Sequence, residues 1–259
     1  MIYLKNLADE YLQVKWIVWT LFLFGYGWIS RQDVMTYTQV DQKAINQWDI
    51  LFSFWGDPFF IFYFFLPVWI FFCIKLIYAE SRLLVFIRSK TELGWMRHVF
   101  FRLHFMLVVN TAIWLFVSLL LTLGVPYELG WSPWALGESY FNAGIAPVVH
   151  LGIPPIFLFM LQVVLLIVFL SCLYTALCVT HLLTARPAIM IALGTVLYIG
   201  AIISFKMFPA DWIWIKASSY SILSASYYDL HSLWVGLIVQ LILIALGWGV
   251  IAAKKRWEG

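Results

Sequence analysis

The 25 residues from Ile156 to Thr180, IFLFMLQVVLLIVFLSCLYTALCVT, carry no charged side chain and decide the fold class of this protein. A transmembrane helix needs about 20 consecutive, mostly apolar residues to cross a bilayer. The rest of the 259-residue chain has a similar character, since 64% of its residues are hydrophobic and 11% are charged. A soluble domain carries about 25% charged residues. We therefore predict a membrane protein whose surface faces lipid.

Several functional classes lack the residues that they require. The net charge of +3 is spread along the chain in small clusters, which gives no case for nucleic-acid binding. All three cysteines lie in apolar stretches and are interpreted as small hydrophobic residues without a disulfide framework. No P-loop, His-Glu-x-x-His or Gly-x-Ser-x-Gly motif occurs. We predict no catalytic residue, no metal site and no cofactor in this chain.

Further apolar stretches predict an all-α fold with six transmembrane helices in a single transmembrane domain, residues 1–259. The approximate spans are 12–29, 58–78, 99–124, 156–180, 188–208 and 232–253. Pro67 lies in the middle of the second span and is expected to kink it. Residues 1–14 place apolar side chains at three- and four-residue steps, which favours an amphipathic helix on the membrane surface. A frayed tail is the alternative.

The distribution of basic residues predicts the orientation. With the N-terminus inside, 12 of the 16 lysines and arginines fall on the cytoplasmic side, and the excess holds at all four cytoplasmic regions. Cytoplasmic loops of membrane proteins carry such an excess. Both termini are therefore predicted to be cytoplasmic.

Three connections are unusual in composition. Residues 30–57 are polar, and residues 125–155 contain no lysine or arginine but several tryptophans and prolines. Residues 209–231 form another aromatic, weakly charged connection. The 125–155 connection is too apolar for a free loop and too broken by proline and glycine for a span. We predict that it is partly inserted at the membrane interface.

Three amides lie more than one turn inside the predicted spans: Asn110, Gln162 and Gln240. Each needs a hydrogen-bond partner in a region without water. They are interpreted either as links between helices or as residues of a substrate path or a subunit seam. The predicted spans contain no Asp or Glu. This absence argues against a proton- or sodium-coupled carrier, because such carriers usually need titratable or cation-coordinating groups in the membrane.

Two short stretches carry a resemblance to a known family. Residues 86–95, FIRSKTELGW, are similar to the arginine- and tryptophan-containing stretch that follows the second span of bacterial ABC-2-type exporter permeases. Residues 48–58, WDILFSFWGDP, resemble the sequence before the second span of small Gram-positive members. The layout of the whole chain also resembles these permeases, which have six spans and a broken, partly re-entrant segment before the last one. The 125–155 connection is longer than this family predicts.

The resemblance implies that residues 80–98 form a coupling segment that docks on a separate ATPase subunit. The candidate contacts are Arg82, Arg88, Lys90, Glu92 and Trp95. It also implies that ATP and Mg²⁺ bind to an ATPase dimer, and that a second permease subunit, identical or similar, completes the transporter in the bacterial cytoplasmic membrane. Topology and anionic lipids alone also account for the basic residues.

The aromatic, apolar interior favours a hydrophobic or amphipathic cargo such as a lipid, a peptide antibiotic or a drug. Two other functions stay open. The chain could be a non-transporting immunity or signalling protein of the membrane, which would need no ATPase. It could also be a membrane enzyme that acts on lipids, for which Asp211, Asp229 and His231 are the candidate residues.

Overall fold

The computed structural model describes residues 14–81, 91–137, 146–209, 212–223 and 230–257. These residues form an all-helical fold and contain no strand, so the predicted fold class is confirmed. The α-helices are α1 (Val14–Asp41), α2 (Gln47–Trp55), α3 (Leu66–Glu80), α4 (Glu92–Leu121), α5 (Ala146–Val149), α6 (Pro155–Thr184), α7 (Pro187–Met207) and α8 (Leu230–Trp257). A π-helix, Phe60–Phe65, leads into α3, and a 3₁₀ turn, Ala217–Tyr220, lies between α7 and α8.

Five helical segments of the described chain are long and apolar enough to cross a membrane. They are Phe60–Glu80, Glu92–Leu121, Pro155–Thr184, Pro187–Met207 and His231–Ala253. They coincide with the second to sixth predicted spans, and most extend a few residues beyond them. The chain is thus a multi-pass membrane protein by its architecture. The location of the termini stays a prediction, and most of the predicted amphipathic helix lies outside the described residues.

The described part of the predicted first span 12–29, residues 14–29, falls in α1, which is not among these five segments. α1 does not end near residue 29 but continues to Asp41, so part of the polar 30–57 connection is helical. The indole ring of Trp16 lies 6.5 Å from the ring of Phe72, and the ring of Tyr26 lies 4.7 Å from that of Phe60. These two pairs show that α1 runs antiparallel beside the segment 60–80.

The irregularity expected at Pro67 takes the form of a π-helix one turn earlier. Pro67 lies in the first turn of α3, where a missing backbone N–H costs little. The preceding residues, FIFYFF, adopt the wider π-helical turn, and Phe60, Ile61, Phe62 and Phe65 are buried. The π-helix therefore directs a dense aromatic patch toward α1 and α4.

Two side-chain contacts define one end of the helix bundle. The indole N–H of Trp95 donates to the carbonyl oxygen of Glu80 at 2.7 Å, and the ring of Trp95 lies 5.9 Å from that of His181. The end of α3, the start of α4 and the end of α6 therefore lie together, and we call this the basic end. The ring of Phe100 lies 5.2 Å from that of Trp248, which places the end of α8 there as well.

Candidate functional site

Residues 212–223, which we call the folded-back segment, return from α7 to pack against α6, α7 and α8. Such a connection needs partners for its backbone N–H and C=O groups, because hydrocarbon provides none. Backbone hydrogen bonds within the segment, in its 3₁₀ turn and the residues that follow, supply only part of these partners. The remaining partners come from polar side chains of three helices, and two of these side chains belong to the amides predicted from the sequence.

Gln162 of α6 holds the end of the folded-back segment with both ends of its amide. Its Oε1 atom accepts from the backbone N–H of Leu223 at 2.6 Å, and its Nε2 atom donates to the carbonyl oxygen of Ser221 at 3.0 Å. The side chain is 1% exposed. Because both polar atoms bond to the backbone, the geometry is that of a structural clamp.

Two more helices hold the 3₁₀ turn. The hydroxyl oxygen of Ser204, in α7, accepts from the backbone N–H of Ala217 at 3.1 Å, and Gln240 of α8 donates to the carbonyl oxygen of Tyr220 at 3.1 Å. The Oε1 atom of Gln240 has no hydrogen-bond partner among the described residues. Gln162 lies seven residues into α6, which corresponds to a depth of about 10 Å. The end of the folded-back segment therefore lies about two turns along α6, whereas its 3₁₀ turn lies within one turn of the end of α7.

A separate cavity of about 340 Å³ lies between α1, the segment 60–80 and α4. Its lining is almost entirely apolar and aromatic: Trp16, Val18, Trp19, Phe22, Phe64, Phe65, Val68, Trp69, Phe72, Met106 and Asn110. Val18 and Phe64 are exposed at its rim, so it opens on the surface of the described bundle. We call it the α1 cavity. Asn110 is the one amide in its lining.

The amide of Asn110 is only half bonded. Its Oδ1 atom accepts from the indole N–H of Trp19 at 2.6 Å, while its Nδ2 atom has no hydrogen-bond partner among the described residues. The indole N–H is a donor only, so the oxygen of the amide must face it and a flipped amide is excluded. The side chain is 95% buried, which makes the unbonded N–H group energetically costly.

The predicted coupling residues divide into two groups. Arg82, Arg88 and Lys90 lie outside the described residues. Glu92 lies in the first turn of α4 and is half-buried. Trp95 is 0% exposed, so its indole ring is not available for the direct ATPase contact that the resemblance implied. Residues 92–98 are the first turns of α4 and are continuous with the third predicted span.

A charged cluster braces the basic end behind this segment. The carboxylate of Glu80 is buried and bonds to the guanidinium of Arg102, and the Nε2 atom of His98 lies 3.3 Å from the other carboxylate oxygen. The backbone carbonyl oxygen of Glu80 accepts from the indole N–H of Trp95. Glu80, the last residue of α3, is thus bonded to side chains in the first three turns of α4.

The opposite end holds a polar network that sequence reasoning missed. Asp49 is 0% exposed, and its carboxylate accepts from the backbone N–H of Asn46 at 2.8 Å and from the hydroxyl of Ser132 at 2.9 Å. Burial raises the pKa of Asp49 to about 6, although these two hydrogen bonds act in the other direction, and the charge of Glu128 raises it further. The network fastens residues 126–137 to the start of α2.

The local signal for this network was the spacing of Asn46 and Asp49. The side chain of Asn46 accepts from backbone N–H groups in the first turn of α2, and Asp49 returns a bond to the backbone of Asn46. This reciprocal arrangement is a capping box. Gln47 adds two hydrogen bonds between the start of α2 and Glu128. Its Nε2 atom donates to the carbonyl of Glu128, and its Oε1 atom accepts from the backbone N–H of Glu128.

The described residues contain no group of three or more His, Cys, Asp or Glu side chains placed to hold a metal ion. Of the candidate residues for a lipid-acting enzyme, Asp211 and Asp229 lie outside the described ranges, and His231 is exposed at the start of α8.

No family model matches the sequence, and neither a curated protein nor a solved structure resembles the chain significantly.

Proposed function

We propose that this chain is the membrane-spanning subunit of an ATP-driven exporter in a bacterial cytoplasmic membrane. It crosses the membrane six times with both termini inside, and it moves a hydrophobic or amphipathic molecule. ATP and Mg²⁺ bind to a separate ATPase dimer, and a second permease subunit, identical or similar, completes the transporter. The observation that carries the proposal is the folded-back segment, which Gln162, Ser204 and Gln240 hold against the last three spanning helices.

The folded-back segment supports a transport role because its irregular backbone needs hydrogen-bond partners that hydrocarbon does not provide. Irregular backbone at membrane depth is tolerated only where protein or a water-filled cavity surrounds it. Three helices contribute polar side chains to this one connection. An inert membrane anchor has no need of such a segment, whereas a transporter uses a broken element at one end to close or shape a path. The broken segment before the last span is also what the resemblance to ABC-2-type permeases implies.

The count of six spans is supported by the position of α1. Its Trp16, Trp19 and Tyr26 rings contact successive aromatic rings of the segment 60–80. The guanidinium of Arg31 donates to the carbonyl oxygen of Leu123, near the end of α4. α1 thus follows two spanning helices over most of their length. Tryptophan and tyrosine lower its hydropathy without preventing it from facing lipid.

The charged cluster at the basic end supports a coupling role for the connection between α3 and α4. Glu80 and Arg102 anchor the two helices on either side of the basic stretch 82–90. A force applied to that stretch would therefore pass to both helices rather than bend a loose loop. In this arrangement the candidate contacts with the ATPase are Arg82, Arg88, Lys90 and Glu92. Trp95 contributes indirectly, because its buried indole ring bonds to Glu80 at the end of α3.

The test is to tag the chain, purify it in mild detergent from its native host and identify the proteins that copurify. A double variant, Arg88→Ala with Lys90→Ala, removes two charges from the coupling segment. The matched control, Lys254→Ala with Lys255→Ala, removes the same charge near the end of α8. The proposal predicts that an ATPase copurifies with the wild-type chain and the control but is lost from the coupling variant.

Either of two results contradicts the proposal. If the chain arrives without any ATPase, the exporter loses its source of energy, and the non-transporting immunity or signalling function takes precedence. If both double variants lose the ATPase equally, the association depends on general charge, and the coupling role of residues 82–92 is wrong.

A further inference from the structure

We infer that a second cavity of the helix bundle binds an amphipathic organic cation, in which an ammonium group is joined to an apolar body. This cavity of about 470 Å³ lies between the second half of α1, the end of α2 and the turn before the π-helix, and Trp134 also lines it. We call it the acidic cavity. The inference rests on the proposed function and narrows its cargo to a cationic molecule.

The acidic cavity lies at the end of the bundle opposite the basic end. α1 runs antiparallel beside the segment 60–80, so the second half of α1 and Asp57 lie away from Glu80. In its lining Ile29 is 61% exposed and Phe59 is 48% exposed, so the cavity opens on the surface of the described bundle. A ligand can therefore enter it without displacing a packed helix.

The charge of the acidic cavity is negative. Among the described residues, its lining contains two carboxylates and no lysine, arginine or histidine. The carboxylate of Asp57 accepts from the hydroxyl of Tyr26 and from the backbone N–H of Phe59, the second at 2.8 Å. Asp33 is exposed and forms no hydrogen bond or ion pair with another described residue. The carboxylate of Asp33 is thus the accessible anion of the cavity and can take a cation as its partner.

The neighbouring cations of the chain are engaged elsewhere. Arg31 donates to the carbonyl oxygen of Leu123, and its guanidinium lies 5.1 Å from the centroid of the Trp28 ring. The Nζ atom of Lys206 lies 4.1 Å from the centroid of the Phe59 ring, and Lys206 forms no ion pair with a described carboxylate. An ammonium group of the chain therefore already lies on a ring of the cavity wall. This contact shows, independently of the carboxylates, that the wall attracts cations.

The walls of the acidic cavity are aromatic and cross the boundary of the predicted spans. The rings in its lining are those of Tyr26, Tyr37, Phe52, Phe59 and Trp134. Asp33 and Asp57 lie just beyond the predicted spans 12–29 and 58–78, whereas Tyr26 and Phe59 lie within them. Aromatic faces attract ammonium groups and recognise quaternary ammonium ligands. A ligand that fits both parts of the cavity therefore has a cationic head and an apolar body.

The lining disfavours two other occupants. A phosphate group would find no cationic side chain in it, and the carboxylates would repel the phosphate, which argues against a zwitterionic phospholipid. A calcium ion takes about six to eight oxygen ligands. The described part of the chain places no three His, Cys, Asp or Glu side chains where they could hold a metal ion. An organic cation remains, and the volume lies within the range of small-molecule sites, roughly 300–1,000 Å³.

The test measures binding of radiolabelled octyltrimethylammonium to the purified full-length chain in an uncharged maltoside detergent. Two unlabelled competitors have the same alkyl chain. One is the hydrocarbon isostere, in which carbon replaces the charged nitrogen, and the other is octylphosphocholine, which adds a phosphate to the head. We predict saturable binding of the probe. Displacement by either competitor should need a concentration about tenfold higher than displacement by the unlabelled probe.

Variants separate the carboxylate from general charge. Asp33→Asn removes the charge at nearly constant volume and should weaken binding of the probe about tenfold. Asp33→Glu keeps the charge and should bind within about threefold of the wild-type chain. Asp33→Asn with Gln39→Glu restores the net charge at an exposed position of α1 outside the lining and should stay as weak as Asp33→Asn. Phe59→Leu should weaken binding about two- to fivefold. Size-exclusion profiles and unfolding temperatures establish that each variant is folded.

Four results would overturn the inference. Binding that does not saturate, or that is equal in the wild-type chain and Asp33→Asn, would mean that Asp33 is an ordinary solvated carboxylate. Equal displacement by the hydrocarbon isostere would mean that the cavity does not select a cation. Equal displacement by octylphosphocholine would mean that the site accepts a phospholipid head. Recovery of binding in Asp33→Asn with Gln39→Glu would mean that only the net charge matters.

Failure of this inference and failure of the proposed function are distinguishable. The binding measurement needs only the chain itself. Saturable binding that depends on Asp33, without any copurified ATPase, leaves the cation site standing and removes the exporter. A copurified ATPase together with binding that does not depend on Asp33 leaves the exporter standing and removes the acidic cavity as a site for its cargo.

Discussion

Two buried amides of this protein, Gln162 and Asn110, have similar burial but opposite hydrogen-bond states. Gln162 has both polar atoms bonded to the backbone of the folded-back segment. Asn110 has its oxygen bonded to Trp19 and its nitrogen unbonded among the described residues, beside a cavity. Every polar group in a membrane needs a partner. The fully bonded amide therefore links two parts of the fold, while the half-bonded one carries the cost of an unpaired N–H group.

The largest effect on stability is expected at the fully bonded amide. Gln162→Leu leaves the N–H of Leu223 and the carbonyl of Ser221 without their partner, and each such group costs about 1–3 kcal/mol. We predict a loss of about 4 kcal/mol in the free energy of unfolding, measured by denaturant titration in detergent micelles. The control Gln39→Leu makes the same change on the exposed face of α1 and should stay within about 0.5 kcal/mol. A loss at residue 162 equal to the control would contradict the structural role.

The second effect concerns pH and the network around Asp49. Burial raises the pKa of this carboxyl from 3.8 to about 6 in the folded protein. The folded state therefore binds the proton more tightly than the unfolded state. The contribution of Asp49 to stability is complete below about pH 4, decreases as the pH rises to about 6 and is constant above that. The total decrease is about 3 kcal/mol, because one pKa unit corresponds to 1.36 kcal/mol.

The check is the unfolding free energy from pH 4 to pH 7 for the wild-type chain and for Asp49→Asn, which does not titrate. The difference between the two profiles isolates Asp49 from the other carboxyl groups. It should change by about 2 kcal/mol between pH 4 and pH 6, which is most of the total decrease of about 3 kcal/mol. Parallel profiles would show that the carboxyl is not buried as described.

A smaller effect is expected at Gln240, which occupies an intermediate position in the comparison. It donates one bond to Tyr220, while its Oε1 atom is unbonded among the described residues. Gln240→Leu removes a bond but also removes an unsatisfied acceptor. We predict a loss of about 1 kcal/mol, close to the mean value of hydrogen bonds between membrane helices. A loss as large as that of Gln162→Leu, in the same titration, would show that Oε1 has a partner.

The smallest stability effect is expected at the half-bonded amide itself. Asn110→Leu breaks the bond to Trp19 but removes the unbonded Nδ2 group, and the two changes nearly cancel. We predict a change below about 1 kcal/mol in the ligand-free chain. A large loss without ligand would place Asn110 with the structural amides.

The spans could be predicted from the sequence because hydropathy depends on composition alone. The uncharged run 156–180 became the centre of Pro155–Thr184, and three of the other four segments fell within two residues of their predicted bounds. The segment Glu92–Leu121 begins seven residues before the predicted 99–124. The length of α1 was missed because its second half is polar, and polar residues after a span usually indicate a loop. Contacts with α2 and α4 keep this half helical instead.

The site was predictable only as a set of candidates. Polar side chains inside spans were certain to need partners, and this requirement singled out Asn110, Gln162 and Gln240. Which of them would be fully bonded depends on where the folded-back segment returns, and this is a tertiary property. The burial of Trp95 was equally hidden, because an indole among charged residues looks like a contact surface until Glu80 is seen to accept its N–H.

The measurement that tests the central claim most directly is the composition of the complex purified from the native host, quantified by mass spectrometry. We predict an ATPase in equimolar amount with the tagged chain if the second permease is identical, or in twofold amount if it is only similar. The ATPase should be lost from Arg88→Ala with Lys90→Ala and kept by Lys254→Ala with Lys255→Ala. A chain that purifies alone, or with partners that hydrolyse no ATP, would contradict it.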